Sequence, residues 1–208
     1  MYLVSSPKLL RAYYPSLVWQ INTEKKDIYL TFDDGPNEKV TPFVLDTLNQ
    51  FEAKATFFCI GNNVDRNKEV YHRILEEGNS VGNHTQSHLN GWKTSNYYYI
   101  KNITIANERI ASSLFRPPYG RIKKSQIKSL QMPDSSLKII MWSVLSGDFD
   151  TTITGEKCLN NVIRHTKNGS IIVFHDSEKA FDRLKYALPK TLAHFSKLGY
   201  QFKPLDMA

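Results

Sequence analysis

Short apolar runs alternate along this chain with segments whose apolar residues recur at helical spacing. Runs at 28–32, 55–60, 80–82, 114–116, 137–144 and 170–174 read as strands, and 200–202 closes the pattern. Between them the spacing predicts helices. One starts near Thr41, with Thr41 as N-cap, Pro42 at the first helical position and Phe43, Val44, Leu48 and Phe51 as its buried stripe. A second carries Val70, Ile74 and Leu75 and stops at Gly78, a residue suited to a helix C-terminus. Ser95 can cap a third, running to about residue 111. Ile127 and Leu130 mark a weaker helical stretch, and stronger ones cover 155–165 and 183–198. Ahead of the first full strand lie a short strand at 17–21 and a polar turn at 23–26.

Strand and helix alternate about seven times, which predicts parallel strands joined by right-handed crossovers. Seven such units make a closed or nearly closed α/β barrel, with an open doubly wound sheet as the alternative. No Gly-x-Gly-x-x-Gly turn follows the first strand, so a dinucleotide-binding fold loses support. One domain is expected, with residues 1–27 as its N-terminal edge extension and residues 28–208 as its main body.

The net charge of +7 favours an acidic partner. The basic residues are scattered, however, and nucleic acid is not expected. Lys123, Lys124 and Lys128 read as one solvated helix face. Of the two cysteines, Cys59 falls in an apolar run and reads as core, and no C-x-x-C spacing points to a zinc ribbon. No apolar stretch reaches membrane-spanning length, and the first residues lack a continuous apolar leader core, so a cytoplasmic location is expected.

The polar residues able to do chemistry gather just after the apolar runs. Asp33 and Asp34 follow 28–32, His84 follows 80–82, and Arg116 to Tyr119 follow the 114–116 run. Asp148 follows 137–144, and His175 and Asp176 follow 170–174. In a parallel barrel all those strand ends open on one face. His84 and His88, four apart, would share one side of a helical turn and could grip a cation. The glutamate that a zincin helix would use as base is replaced by Thr85, so a carboxylate and a base must come from elsewhere. Adjacent Asp33 and Asp34 offer both, one toward metal and one toward water, although an ordinary Asp-Gly turn explains TFDDGP equally well if it stands alone. Two histidines and a carboxylate leave coordination positions open, as in zinc hydrolases and iron oxygenases. His175 as general acid, Asp148 as its orienting partner and Arg116 as partner of the base favour hydrolysis. Trp92 and Tyr97 to Tyr99 could stack on sugar rings, though packing is the commoner use of such residues.

The motifs TFDDG, His-Thr-Gln-Ser-His, Arg-Pro-Pro-Tyr-Gly and Val-Phe-His-Asp, in this order between residues 31 and 176, resemble those of the polysaccharide deacetylases, the NodB-homology carbohydrate esterases. With ATFFCIG and the last helix, the resemblance extends over about residues 28–205. It implies a distorted (β/α) barrel of about seven strands and a catalytic domain over 28–208. It also implies one divalent cation, zinc first and cobalt or nickel as alternatives, on Asp34, His84 and His88. Asp33 would be the general base, tethered by Arg116, and the Tyr119 N–H would hold the oxyanion. His175 would protonate the leaving amine with Asp148 behind it, and Pro118, Val173 and Phe149 would line the substrate. The implied reaction is removal of N-acetyl groups from an amino-sugar glycan such as a chitin oligomer or a peptidoglycan-like chain.

The chain departs from the family in SVLSGDFD, where Leu145 takes an acidic position and Phe149 replaces tryptophan. Two other readings stay open: an esterase of O-acetylated, xylan-like glycans or a cyclic-amide hydrolase on the same fold, and a glycan-binding module without catalysis. Neither the particular glycan nor the oligomeric state is legible.

Overall fold

The chain begins with a helix, α1 (Lys8–Tyr13), that its apolar spacing does not announce, in the computed structural model, which describes residues 2–132 and 137–206. There follow β1 (Asp27–Asp33), α2 (Val40–Gln50), β2 (Thr56–Cys59), α3 (Gly61–Arg66), α4 (Lys68–Glu76) and β3 (Ser80–Asn83). Next come α5 (Asn96–Asn107), β4 (Leu114–Phe115), α6 (Lys124–Leu130), β5 (Lys138–Ile139) and β6 (Val144–Leu145). The chain ends with α7 (Gly155–His165), β7 (Ile171–His175), α8 (Phe181–Lys197) and β8 (Gln201–Phe202).

Seven parallel strands form a curled, distorted (β/α) barrel in the order β5-β4-β3-β2-β1-β7-β6, and β8 pairs with the first two residues of β1. The central strand alternates its faces as strand geometry requires. Ile28, Leu30 and Phe32 point outward into the main core beneath the helices, with Val44, Leu48, Leu188 and Leu192. Tyr29 points inward, to a smaller cluster of Phe58, Leu114, Ile140 and Ile171. Phe32 lies between its register partners Phe57 and Phe174, with ring centroids 5.1 and 6.1 Å away. Truncating such a ring to alanine costs roughly 3–5 kcal/mol. Inward-facing Thr31 and Asp33 stand apart from both apolar clusters and lead toward the site.

The run at 137–144 does not form one strand, because its pairing partner changes. Ile140 donates its N–H to Phe115, Met141 to Val18, and Ser143 to Ile171. A single straight ladder cannot serve three partners, so the run splits into β5 and β6 around a bend. The N-terminal segment occupies the gap between them. Val18 bridges Ile140, Ser5 bridges Val144, and Gln20 bridges Ser170. The strand expected at 17–21 is therefore a pair of isolated bridges. α3 is a second helix that the apolar spacing does not announce; it is too short and polar to show a stripe.

Thr41 is not the N-cap of α2, and Pro42 is not its first residue. Val40 begins the helix, and the Asn37 side chain accepts from the N–H groups of Lys39 and Val40. The Thr41 hydroxyl is used elsewhere, in the site. Ser95 does cap α5, accepting from the Tyr98 N–H. Among the described residues, no helix is long and apolar enough to cross a membrane.

Candidate metal centre with flanking carboxylate and imidazole

β1 delivers two adjacent aspartates in different ways. Asp33 ends the strand on its inward face, in register with Phe58 on one side and His175 on the other. Its Oδ1 accepts from Arg116 Nη1 at 2.7 Å. Arg116 is wholly buried, which for a lone cation would cost several kcal/mol. Every side of its guanidinium is answered: Nε donates to the Ile140 carbonyl, Nη1 also to Thr31 Oγ1, and Nη2 to the Met141 carbonyl. Its plane lies 4.0 Å over the Phe58 ring.

Asp34 leaves the strand at φ 80°, a left-handed conformation that turns its carboxylate away from Asp33. Its carbonyl accepts from Asn63 Nδ2 at 2.7 Å, and Pro36 O accepts from Asn67 Nδ2 at 3.0 Å. Gly35 is obligatory here. A Cβ would fall 2.0 Å from Asp176 Oδ2, whose carboxyl group accepts the Gly35 N–H and the Thr41 hydroxyl. Burial pushes the Asp176 carboxyl up to about 7, against the hydrogen bond from Thr41.

The two histidines do not share a helical turn. β3 ends at Asn83, and residues 84–88 form a loop in which Thr85 and His88 both take positive φ, 67° and 57°. A helix would need every one of these residues at negative φ. Side chains hold the loop instead. Asn102 Oδ1 accepts from the N–H groups of Gln86 and Ser87, and Thr85 Oγ1 accepts from that of Leu89. The spacing of four brings the rings together, at 5.1 Å between centroids, by a different backbone route.

His84 Nδ1 lies 2.8 Å from the Arg116 carbonyl, an acceptor only, so it must carry the proton. That leaves the Nε2 lone pair free to ligate, a tautomer common behind metal-binding histidines. Burial pushes the imidazole down to about 4, keeping it neutral. His88 Nδ1 lies 3.1 Å from the Tyr119 hydroxyl, and the two rings pack at 4.5 Å. Asp34 Oδ1 sits 3.1 Å from His88 Nε2 and 3.7 Å from His84 Nε2. One ligand atom from each of the three residues lies within 4.8 Å of the others. Asp34 Oδ1 is buried and, among the described residues, has only the two imidazole Nε2 atoms near it, with no well-aligned hydrogen-bond donor. A buried carboxylate oxygen without a donor is costly, whereas an oxygen and two imidazole lone pairs aimed at one point suit a divalent cation. Burial alone would raise the Asp34 carboxyl; His88, His175 and His84 outweigh it and hold it below the usual carboxylate range.

On the far side, His175 ends β7. Its Nδ1 lies 2.7 Å from Asp148 Oδ1, and its backbone N–H donates to Asp148 Oδ2 at 2.7 Å. Asp148 is fully buried, and its carbonyl accepts from Arg183. Burial alone would lower the His175 pKa. The charge and hydrogen bond of Asp148, with Asp34 and Asp33 beyond, outweigh that and raise it to about 9. Phe149 packs its ring 5.2 Å from His175 and 4.9 Å from Tyr2.

Tyr119 occupies the rim at φ 61°, largely exposed, in the short turn Pro118–Gly120, and Pro118 is buried. Val173 is buried on the inward face of β7, in register with Thr31 and with Leu145. Several supporting residues lie outside those motifs: Thr41, Asn63, Asn67 and Asn102. The polar GNN that follows β2 is the signal that could have found Asn63, since strand ends collect at this face. Asn102 lies mid-helix and gives no such signal.

A polysaccharide deacetylase family model matches residues 20–132. A peptidoglycan-N-acetylglucosamine deacetylase of Bacillus cereus is 34% identical over 89% of this chain and 89% of its own length. A peptidoglycan-N-acetylglucosamine deacetylase, PgdA, of Listeria monocytogenes is 34% identical over 87% of this chain but only 38% of its own length. Among solved structures, the Bc1960 peptidoglycan N-acetylglucosamine deacetylase in complex with 4-naphthalen-1-yl-N-oxidanyl-benzamide superposes with a TM-score of 0.84. It is 30% identical, over 96% of this chain and 95% of that one.

Proposed function

The chain belongs to the polysaccharide deacetylase family, and we propose that it is a metal-dependent hydrolase removing N-acetyl groups from an amino-sugar glycan of the peptidoglycan or chitin-oligomer type. The observation that carries this reading is the Asp34, His84 and His88 cluster with a second carboxylate, Asp33, and a raised imidazole, His175, on neighbouring strand ends. The relatives named above support the glycan class.

A divalent ion, zinc first, held by Asp34, His84 and His88 would supply Lewis acidity and an acidified water. Asp33 takes the proton of the attacking water. Arg116 occupies Oδ1 and fixes the direction of the carboxylate, which leaves Oδ2 for that transfer. The Tyr119 N–H serves the developing oxyanion, a type of donor worth about 3 kcal/mol. His175 carries its proton at neutral pH, because its pKa stands near 9, and delivers it from Nε2 to the leaving nitrogen. Asp148 holds Nδ1 and so fixes the tautomer. Pro118 and Phe149 wall the substrate, and inward-facing Val173 and Leu145 make an apolar floor for the acetyl methyl.

The strongly raised His175 favours amides over esters. An amide nitrogen must be protonated to leave, whereas an alkoxide of an O-acetyl ester departs more readily. The test is acetate release by the zinc-loaded protein from N-acetylglucosamine tetramer and from acetylated xylan, side by side, with Asp33→Asn as control. Faster release from the tetramer is expected, falling about 10³-fold in Asp33→Asn while bound zinc is retained. Preference for the xylan ester, or substantial activity in Asp33→Asn, would overturn the assignment.

A further inference from the structure

Two loops leave the site side by side. One runs from His88 to Trp92, the other from Tyr119 to Ile122. At the site end the Tyr119 hydroxyl meets His88. Further out, a Cβ on Gly91 would strike the Arg121 carbonyl at 2.4 Å, so the two backbones are in direct contact. At the outer end Trp92 Nε1 donates to the Ile122 carbonyl, and the Arg121 guanidinium lies 5.2 Å from the Trp92 ring. Trp92 nevertheless remains 59% exposed. Three residues of chain lie between it and His88, so the two are at most about 14 Å apart along the chain. Held by that backbone hydrogen bond, the indole presents a flat apolar face on which a sugar ring can pack.

The charge around this pair is one-sided. Between His84 and Pro133 the chain has a single acidic residue, Glu108, which is paired with Arg109. Arg121 makes no ion pair among the described residues, while Lys93, Lys123 and Lys124 flank the two loops. Lys123 spends its ammonium on the Thr94 carbonyl and Lys124 on the Tyr13 hydroxyl. Arg121 is the cation set against the aromatic face, and a guanidinium stacked on an indole is held ready for a carboxylate.

We propose that Trp92 and Arg121 form a glycan subsite beside the metal centre that takes a carboxylate-bearing sugar, with the ring on Trp92 and the carboxylate on Arg121. This rests on the deacetylase reading and narrows its substrate to acidic glycans. It also gives the positive balance of the chain a local use.

The test compares two tetramers on the zinc-loaded protein: neutral N-acetylglucosamine tetramer, and a tetramer whose alternate rings carry a lactyl-ether carboxylate. Binding is read by calorimetry and turnover by acetate release. Arg121→Gln should weaken binding of the acidic tetramer and raise its KM about tenfold, the size of one charged hydrogen bond, with less than twofold change for the neutral one. Trp92→Ala should weaken both. Both residues are surface groups, and an unchanged unfolding midpoint checks that the fold is intact. Equal effects of Arg121→Gln on the two tetramers, or none on either, would overturn the subsite. Tighter, Arg121-dependent binding of the acidic tetramer without acetate release would uphold the subsite and sink the proposed reaction. Acetate release with no acidic preference would do the reverse.

Discussion

The two halves of the site are built by different means. On one side Asp33 and His175 face each other as partners in the ladder between β1 and β7. Their separation is set by the spacing of neighbouring strands, about 4.8 Å, and the buried core packed on β1 and β7 maintains it. On the other side His84 and His88 lie on a loop with two residues at positive φ, and a handful of side-chain hydrogen bonds holds it. The carboxylate and imidazole assigned as base and acid are thus placed by the fold, and the cluster of ligating atoms by local polar contacts. Damage to one half should therefore appear as lost stability, and damage to the other as lost metal affinity.

The largest effect should come from Arg116→Ala. It removes four buried hydrogen bonds and strands Asp33, so the fold should lose about 3–5 kcal/mol, measured by urea unfolding. A loss below 1 kcal/mol would mean that the pair is not part of the frame. Next is Asp148→Asn, in which His175 loses its charged partner. Deacetylation at neutral pH should drop about 100-fold, and the basic limb of the pH–rate profile should move from near 9 toward 6.5. An unmoved limb would show that another group sets it. Asn102→Ala should weaken zinc about 10–100-fold, as removal of outer support commonly does, with about 1 kcal/mol of stability lost; metal titration against a chelator reads it. The smallest effect concerns wild-type stability against pH. His175 is raised in the folded state, so its contribution is complete below 6.5 and fades as pH climbs through 9. Thermal midpoints across that window should decline, and less so in Asp148→Asn.

Much of this arrangement was legible in the chain. Alternation of apolar runs with helical spacing marks the parallel sheet, and polar residues just after each run mark the rim where Asp33, Asp34, His84, Arg116, Asp148 and His175 meet. Where the reading failed, the cause was context. The 137–144 run has the composition of one strand, but β4, the N-terminal segment and β7 compete for it. Thr41 has the chemistry of a cap, but Asp176 claims its hydroxyl. The histidine pair has helical spacing, but Asn102, distant in sequence, bonds the loop in another shape.

By itself the amino-acid sequence determined which residues are apolar and in what period, hence the layers and the chemical types gathered at the rim. Only the tertiary structure decided the left-handed turn at Asp34, the free oxygen between two imidazole nitrogens, and the pairing of Trp92 with Arg121. The physical reason is range. Burial and periodicity act along a few consecutive residues, whereas orientation of a side chain is set by hydrogen-bond partners that the chain brings back from far away.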